Sequence, residues 1–256
     1  MPNAIYSLLD TITKHSLAMF GLEIRRLPSR VKNNMLIATP EEASSIYSRY
    51  KMFYDSNPDY SHWPNTIKEA MEYMSLGRID SYYRFLQLCE EEISLDDKTI
   101  IDVGCCLGGL LDILSSRYPT TKLFGIDANP GFVEFTKFMC PTATIKLHNI
   151  CKETYDNFDI VFCNQVIEHM VKPECAIENM VSMLNPEGLL LITVPDGRMD
   201  TQPAKSFDSN SNSYAGHINF WSSESWSFLI DKHAGGREWK TGKFKTEGLY
   251  AIIRAE

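Results

Sequence analysis

The sequence predicts an α/β fold: a doubly wound, mostly parallel, seven-stranded sheet whose last strand is antiparallel, preceded by an N-terminal helical cap. Three observations predict it. From Lys98 onward, short runs rich in Ile, Val, Leu and Phe alternate with helical stretches, as in strands buried on both faces. Before that point the periodicity is helical and aromatic-rich. The last two runs are separated by only four residues, which permits only an antiparallel pair. The chain therefore divides into a substrate-covering cap over residues 1–95 and a ligand-binding domain over residues 96–256.

Within the cap, Ile5 to Phe20 reads as a helix that stops at Gly21, and Pro40-Glu41-Glu42 opens another with acids in its first turn. The segments Thr66 to Met74 and Ile79 to Ile93 read as two more, on either side of Gly77. Beyond the cap, the expected strands are Thr99 to Val103, Lys122 to Ile126, Ala143 to Leu147, Asp159 to Cys163, Leu189 to Val194, Glu238 to Phe244 and Leu249 to Arg254. Helices are expected over Leu107 to Tyr118, Gly131 to Met139, Pro173 to Leu184 with Asn185-Pro186 as its stop, and Ser222 to Lys232. The polar stretch from Asp196 to Gly216 reads as a connection, with Ser209 to Ser213 as a mobile loop.

A length of 256 residues suits one ordinary domain with an appendage. Twenty-five basic against 33 acidic side chains leave a net charge of -8, which argues against nucleic acid as a partner. Residues 14–32 are the local exception, where Lys14, Arg25, Arg26, Arg30 and Lys32 face the single acid Glu23. That stretch is either a solvated face or a peripheral contact with an anionic substrate or membrane lipid. Seven cysteines, an odd number without a C-x-x-C pair, read as reduced, buried thiols of a cytoplasmic protein, and no apolar run is long enough for a signal peptide or membrane span.

The strongest chemical signal is Ile100-Ile101-Asp102-Val103-Gly104-Cys105-Cys106-Leu107-Gly108-Gly109, an apolar strand entering a small-residue turn and then a helix. Glycine admits close approach of a ligand, and the N–H groups of the next helix start attract an oxygen-rich group. The second signal is Asp127, followed by Ala128, an acid closing the next strand 23 residues after Gly104. In nucleotide-binding doubly wound folds a carboxylate there faces the ribose hydroxyls; alternatively Asp127 caps the helix near Pro130.

From these residues the chain resembles the class I S-adenosylmethionine-dependent methyltransferases, in the branch of ubiquinone-type, sugar and natural-product enzymes. Asp102, Gly104, Cys106 and Gly108 look like the D-x-G-x-G-x-G loop, and Asp127 like the ribose acid. Asn149, in His148-Asn149-Ile150, stands in the turn that faces adenine, and Asn164 and Gln165 lie in a fourth-strand motif that ends in Glu168-His169. Leu184 to Pro195 is similar to the family's turn and fifth strand. The resemblance implies a Rossmann-like fold, S-adenosyl-L-methionine as cofactor, no metal, and methyl transfer to a small-molecule acceptor such as a hydroxyl of a sugar or polysaccharide precursor. Quinone precursors and other natural products stay open. An alcohol acceptor requires a base, and His169 and His217 are the candidates. Tyr82, Tyr83 and Arg84 are candidates to touch the methionine end, whereas Asp196 and Asp200 have no partners at ligand spacing.

Two residues depart from the family pattern: Cys106 replaces the middle glycine, and Glu187 stands where glycine is common. Cys106 is therefore expected to take ordinary backbone angles. Those departures leave an alternative, a catalytically inactive methyltransferase-like subunit that binds the cofactor. A nicotinamide oxidoreductase is set aside because the turn lacks G-x-G-x-x-G.

Overall fold

The computed structural model describes residues 45, 46, 48, 49, 52, 76–198, 206–208, 213–244 and 248–256. Of the expected cap, the helices over Ile5 to Phe20 and Thr66 to Met74 and the basic stretch 14–32 lie outside the described residues, as does Asp200. Residues 45, 46, 48, 49 and 52 are helical, and Ile46 is buried in the core.

The described chain begins with helix α1 (Leu76–Glu90), then β1 (Thr99–Val103), α2 (Gly109–Arg117), β2 (Lys122–Asp127), α3 (Pro130–Met139), β3 (Thr144–Leu147) and β4 (Phe158–Asn164). A 3-10 turn over Ile167–His169 leads to α4 (Pro173–Ser182) and β5 (Leu184–Val194). Then follow β6 (Ser206–Asp208), β7 (Ser213–Ala215), α5 (Ser223–His233), β8 (Trp239–Phe244) and β9 (Gly248–Arg254). The main sheet has seven strands in the order β3-β2-β1-β4-β5-β9-β8. Its first five strands run parallel and β9 is antiparallel to both neighbours, as the sequence predicts.

Continuous apolar runs form these strands because both faces are covered. Along β5, Leu189 and Leu191 point into the core under α1, α2 and α3, while Leu190 and Ile192 point into the core under α4 and α5. Ile100 and Ile101 divide the same way on β1. Each such side chain, removed completely from water, contributes roughly 1.5–3 kcal/mol. Trp226, the largest fully buried side chain among the described residues, also donates its indole N–H to the Tyr250 carbonyl at 2.9 Å, so its burial leaves no polar cost.

Three expectations need correction. Asn185-Pro186 does not merely stop α4: β5 already begins at Leu184, and the register jumps from Phe158↔Leu184 to Ile160↔Leu189. Glu187 sits in this irregularity at φ 60, so the left-handed angle that favours glycine is kept without glycine. The polar stretch taken as a loop contains the antiparallel pair β6–β7, with Ser213 paired to Asp208; the residues between these strands are outside the described ones. The thiols are all free, but Cys106, Cys151 and Cys175 are only partly buried. No helix among the described residues is long and apolar enough to cross a membrane.

Candidate active site

The carboxyl ends of β1, β2, β3 and β4 lie side by side, and every residue singled out for cofactor binding falls at or just past one of them. Open parallel sheets bind ligands at this edge because the strand-to-helix turns collect there. The first turn is built from alternating left-handed residues: Gly104 at φ 75, Cys106 at φ 48 and Gly108 at φ 76. A Cβ on Gly104 would stand 2.5 Å from the Val166 side chain, and one on Gly108 would stand 2.7 Å from Thr136, so neither position admits a side chain.

Cys106 is thus a correction, since it does not take ordinary angles. Its strained conformation is held from both sides. The Cys106 N–H donates to Asp127 Oδ2 at 3.0 Å, and its carbonyl accepts from the Thr136 hydroxyl at 2.6 Å. A strain on the order of 1–3 kcal/mol persists only where surrounding bonds over-determine the backbone, as here. Burial and the neighbouring Asp127 charge push the thiol up to about 12, so it stays protonated.

Asp127 ends β2 and does not cap α3; Asn129 does, accepting from the Gly131 and Phe132 N–H groups. Asp127 Oδ1 instead accepts from Asn129 N at 2.8 Å. Each carboxylate oxygen holds one backbone N–H and keeps a lone pair for a further donor. Burial pushes this carboxyl up to about 6, against the opposing pull of the N–H groups of Asn129, Cys106 and Ala128. Asp102 is more enclosed, and burial followed by the Asp127 charge raises it to about 8.

Past β3, Asn149 turns the chain by accepting from Cys151 N at 3.0 Å. At the end of β4, Asn164 Oδ1 accepts from the Thr193 hydroxyl at 2.5 Å, and Gln165 takes a left-handed φ of 59 while donating its N–H to Thr193 O. That bend directs the chain into the 3-10 turn carrying Glu168 and His169.

His169 and His217, two separate candidates in sequence, are brought together. Their ring centroids are 4.8 Å apart at an interplanar angle of 71°. Beside them is Glu168, which is fully buried and has Oε1 at 3.9 Å from His169 Nε2 and 4.0 Å from His217 Nε2. The segments are stitched by backbone: Ile218 and Asn219 donate N–H groups to Glu168 O, and the Asn219 side chain donates to Met170 O at 2.7 Å. One ligand atom from each of the three side chains lies within 4.8 Å of the others.

Sequence reasoning gave Glu168, Asn219 and Thr136 no role. Glu168 was visible as half of a Glu-His pair, but nothing in the spacing showed that His217 would meet it. Of the expected trio, Tyr82 stands at the loop, together with Arg78, which the sequence did not single out. Tyr82 is partly buried beside Asp102 and Cys106, and the Arg78 charge acts on both Tyr82 and Cys106. Tyr83 instead packs under Arg117, whose guanidinium is 4.5 Å from the ring centroid, and Arg84 pairs with Asp80. Only the four-residue step from Arg78 to Tyr82 on one helix face could have signalled the first pair. Asp196, expected to have no metal-ligand partners at suitable spacing, is buried and bound to the cations of Arg198 and Lys243, which hold its carboxyl well below the usual range.

Against known proteins, a family described as a methyltransferase domain matches residues 74–234. The ubiquinone biosynthesis O-methyltransferase of Coxiella burnetii is 27% identical over 114 residues, covering 42% of this chain and 48% of that protein. The trans-aconitate 2-methyltransferase of Variovorax paradoxus is 27% identical over 101 residues, 39% of each. The chain therefore spans less than half the length of these curated relatives. Among solved structures, the plantazolicin methyltransferase BamL, in complex with a triazolic analogue and S-adenosylhomocysteine, superposes with a TM-score of 0.57 at 15% identity, covering 83% of this chain and 99% of that one. At that identity the likeness shows the fold.

Proposed function

Since the chain belongs to the methyltransferase-domain family and is built as a class I S-adenosylmethionine-dependent enzyme, we propose that it methylates a hydroxyl of a small molecule, in the finer reading a sugar or polysaccharide precursor. The observation that carries the donor site is Asp127: a carboxylate at the end of β2, its two oxygens oriented by backbone N–H groups, each with acceptor capacity left for a ribose hydroxyl. Asp102, Gly104, Cys106 and Gly108 would line the amino-acid end of the donor, Asp127 and Ala128 the ribose, Asn149 the adenine, and Asn164 and Gln165 the approach to the reacting methyl. The bound donor supplies an electrophilic sulfonium methyl group. The chain's own work is to align, to exclude water and to take a proton.

His169 and His217 supply that last part. His169 follows β4, at the same edge of the sheet as the glycine turn, and His217, past β7, is in ring contact with it, which supports the assignment. In this reading residues 1–95 cover the acceptor and 96–256 hold the donor. The sugar reading draws on the short basic segment Gly21 to Pro28, outside the described residues, which resembles one in methyltransferases of polysaccharide clusters. The same basic stretch 14–32 is the proposed peripheral contact with an anionic acceptor or membrane. Free thiols throughout support a cytoplasmic location.

The test is calorimetric titration of the full chain with S-adenosylmethionine, followed by incubation with a small-molecule extract fractionated into neutral sugars, sugar phosphates and lipids. Saturable donor binding and S-adenosylhomocysteine release in one of the sugar fractions are expected. Absence of donor binding overturns the reading, and donor binding with no release in any fraction favours the non-catalytic subunit.

A further inference from the structure

We propose that Arg198 and Lys243 bind a phosphate group of the acceptor, so that the substrate is a phosphorylated sugar and not a neutral one. The proposal rests on the small-molecule reading above and narrows it. Both cations stand beside the donor site, on the side left for an acceptor. The glycine turn and Asp127 occupy the carboxyl ends of β1 and β2, and Asp196 follows the carboxyl end of β5, across β4 from them. Lys243 reaches the same edge from β8, because Leu249 on β9 pairs with both Lys243 and Val194. The Gly197 N–H donates to the Trp221 carbonyl at 2.9 Å, which ties the segment carrying Arg198 to the chain that leaves His217. Four residues span at most roughly 14 Å, so the stretch from His217 to Trp221 keeps the histidines and the cations within reach of one small molecule.

Asp196 is a saturated hub. Its Oδ1 accepts from the Arg198 backbone N–H at 3.1 Å and from Arg198 Nε at 3.2 Å, and its Oδ2 accepts from Arg198 Nη2 at 3.1 Å and from the Lys243 ammonium. A carboxylate offers about four lone-pair sites, so these bonds fill it. The donors, by contrast, are not used up. Arg198 keeps both Nη1 hydrogens and one on Nη2, and Lys243 keeps the rest of its ammonium hydrogens. Only 4% of the Asp196 side chain is exposed, against 60% for Arg198 and 41% for Lys243. The cluster therefore buries its acceptor and turns donors to solvent. Glu224, exposed at the start of α5, also acts on Arg198 and Asp196, but its carboxylate is held first by Ser222 and by its own backbone N–H.

Charge and shape select the anion. A planar carboxylate carries one charge and is satisfied by the paired N–H groups of a single guanidinium, which leaves the Lys243 ammonium unmatched. A phosphate monoester carries about 1.5 to 2 negative charges at pH 7 and three terminal oxygens. It can take the guanidinium on one side and the ammonium on another, and so uses both cations.

Three ligands built on one sugar ring test the proposal: glucose 1-phosphate, glucuronate and glucose, titrated into the 15N-labelled full chain and followed by NMR. Glucose 1-phosphate should bind about tenfold or more tightly than either of the others, and its affinity should fall about threefold or more between about 50 and 300 mM NaCl. Arg198→Gln and Lys243→Met should each weaken it about fivefold or more, with S-adenosylmethionine affinity changed less than about twofold. A pair that merely staples β8 to β5 would lower the melting temperature in these variants and leave the ranking of the three ligands intact. That result overturns the proposal, as does no saturable uptake of glucose 1-phosphate, equal binding of glucose, or tighter binding of glucuronate. Uridine diphosphate glucose fixes the source of the phosphate: tighter binding than glucose 1-phosphate means a nucleotide-linked sugar, and weaker binding means a terminal monophosphate. Should Arg198→Gln not fold, Lys243→Met and the salt series of the parent decide. Calorimetry with S-adenosylmethionine on the same sample separates the two ideas, because failed donor binding with the expected phosphate preference sinks the donor site only.

Discussion

The imidazoles of His169 and His217 meet edge to face, with centroids 4.8 Å apart, although 47 residues separate them in the chain. As rings in contact that serve the proposed base, they should not have additive effects. His169→Gln and His217→Gln are each expected to slow S-adenosylhomocysteine release by about 100-fold or more. The double variant should lose little beyond the worse single one. Donor affinity, measured by calorimetry, should change less than twofold in all three. Additive losses would mean that the rings act separately.

Asp127 predicts how donor binding depends on pH. Its carboxyl is raised to about 6 by burial, and only the ionised form can accept two ribose hydroxyls while also holding the Cys106 and Asn129 N–H groups. Affinity should therefore be constant above pH 7 and fall as the pH drops through about 6, approaching tenfold per unit below it. Asp127→Asn should flatten this profile. Asp127→Ala should weaken binding at pH 8 by roughly 1–3 kcal/mol through the lost hydrogen bonds, and an unchanged affinity would remove Asp127 from the site.

Much of this architecture was legible because burial on both faces writes itself into composition. The run Ile100 to Val103 or Leu189 to Val194 can be little else than a central strand once helices flank it. The place of Asp127 at the end of β2 was legible for a similar reason, since its distance from the glycine turn is set by one helix and one strand. What was not legible depends on contacts between distant segments. Cys106 takes φ 48 because Asp127 and Thr136, 21 and 30 residues away, hold its N–H and carbonyl, and nothing local announces that. Glu168 and His217 meet through backbone bonds from Ile218 and Asn219 to Glu168, again invisible to spacing. Asn185-Pro186 misled because a helix stop and a strand irregularity use the same residues.

Asp102 should limit stability at high pH. Burial and the Asp127 charge raise its folded pKa to about 8, above the unfolded value of about 3.9. The folded state then binds more protons than the unfolded one between roughly pH 4 and 8, so stability falls as the pH rises through that window. Below pH 4 both states are protonated and no penalty remains. Asp102→Asn, which keeps the shape without the charge, should raise the melting temperature more at pH 8 than at pH 5. A shift equal at both values, or larger at pH 5, would show that Asp102 is not held protonated by its surroundings.

Cys106 should tolerate glycine and reject β-branched residues. Its φ of 48 is free for glycine but costly for any side chain branched at Cβ. Cys106→Gly removes a partly buried CH2-SH and its favourable transfer of about 1 kcal/mol, yet it also relieves strain of similar size. The two effects oppose each other, so the change should leave unfolding free energy within about 1 kcal/mol of the parent. Cys106→Val gains no such relief and pushes a branched carbon into the turn between Asp127 and Thr136, where the N–H and carbonyl bonds fix the backbone. A loss of about 2 kcal/mol or more, read by urea denaturation, is expected together with weaker donor binding. Were valine as stable as glycine, the left-handed turn would not be what holds this loop, and the N–H aimed at Asp127 would need another cause.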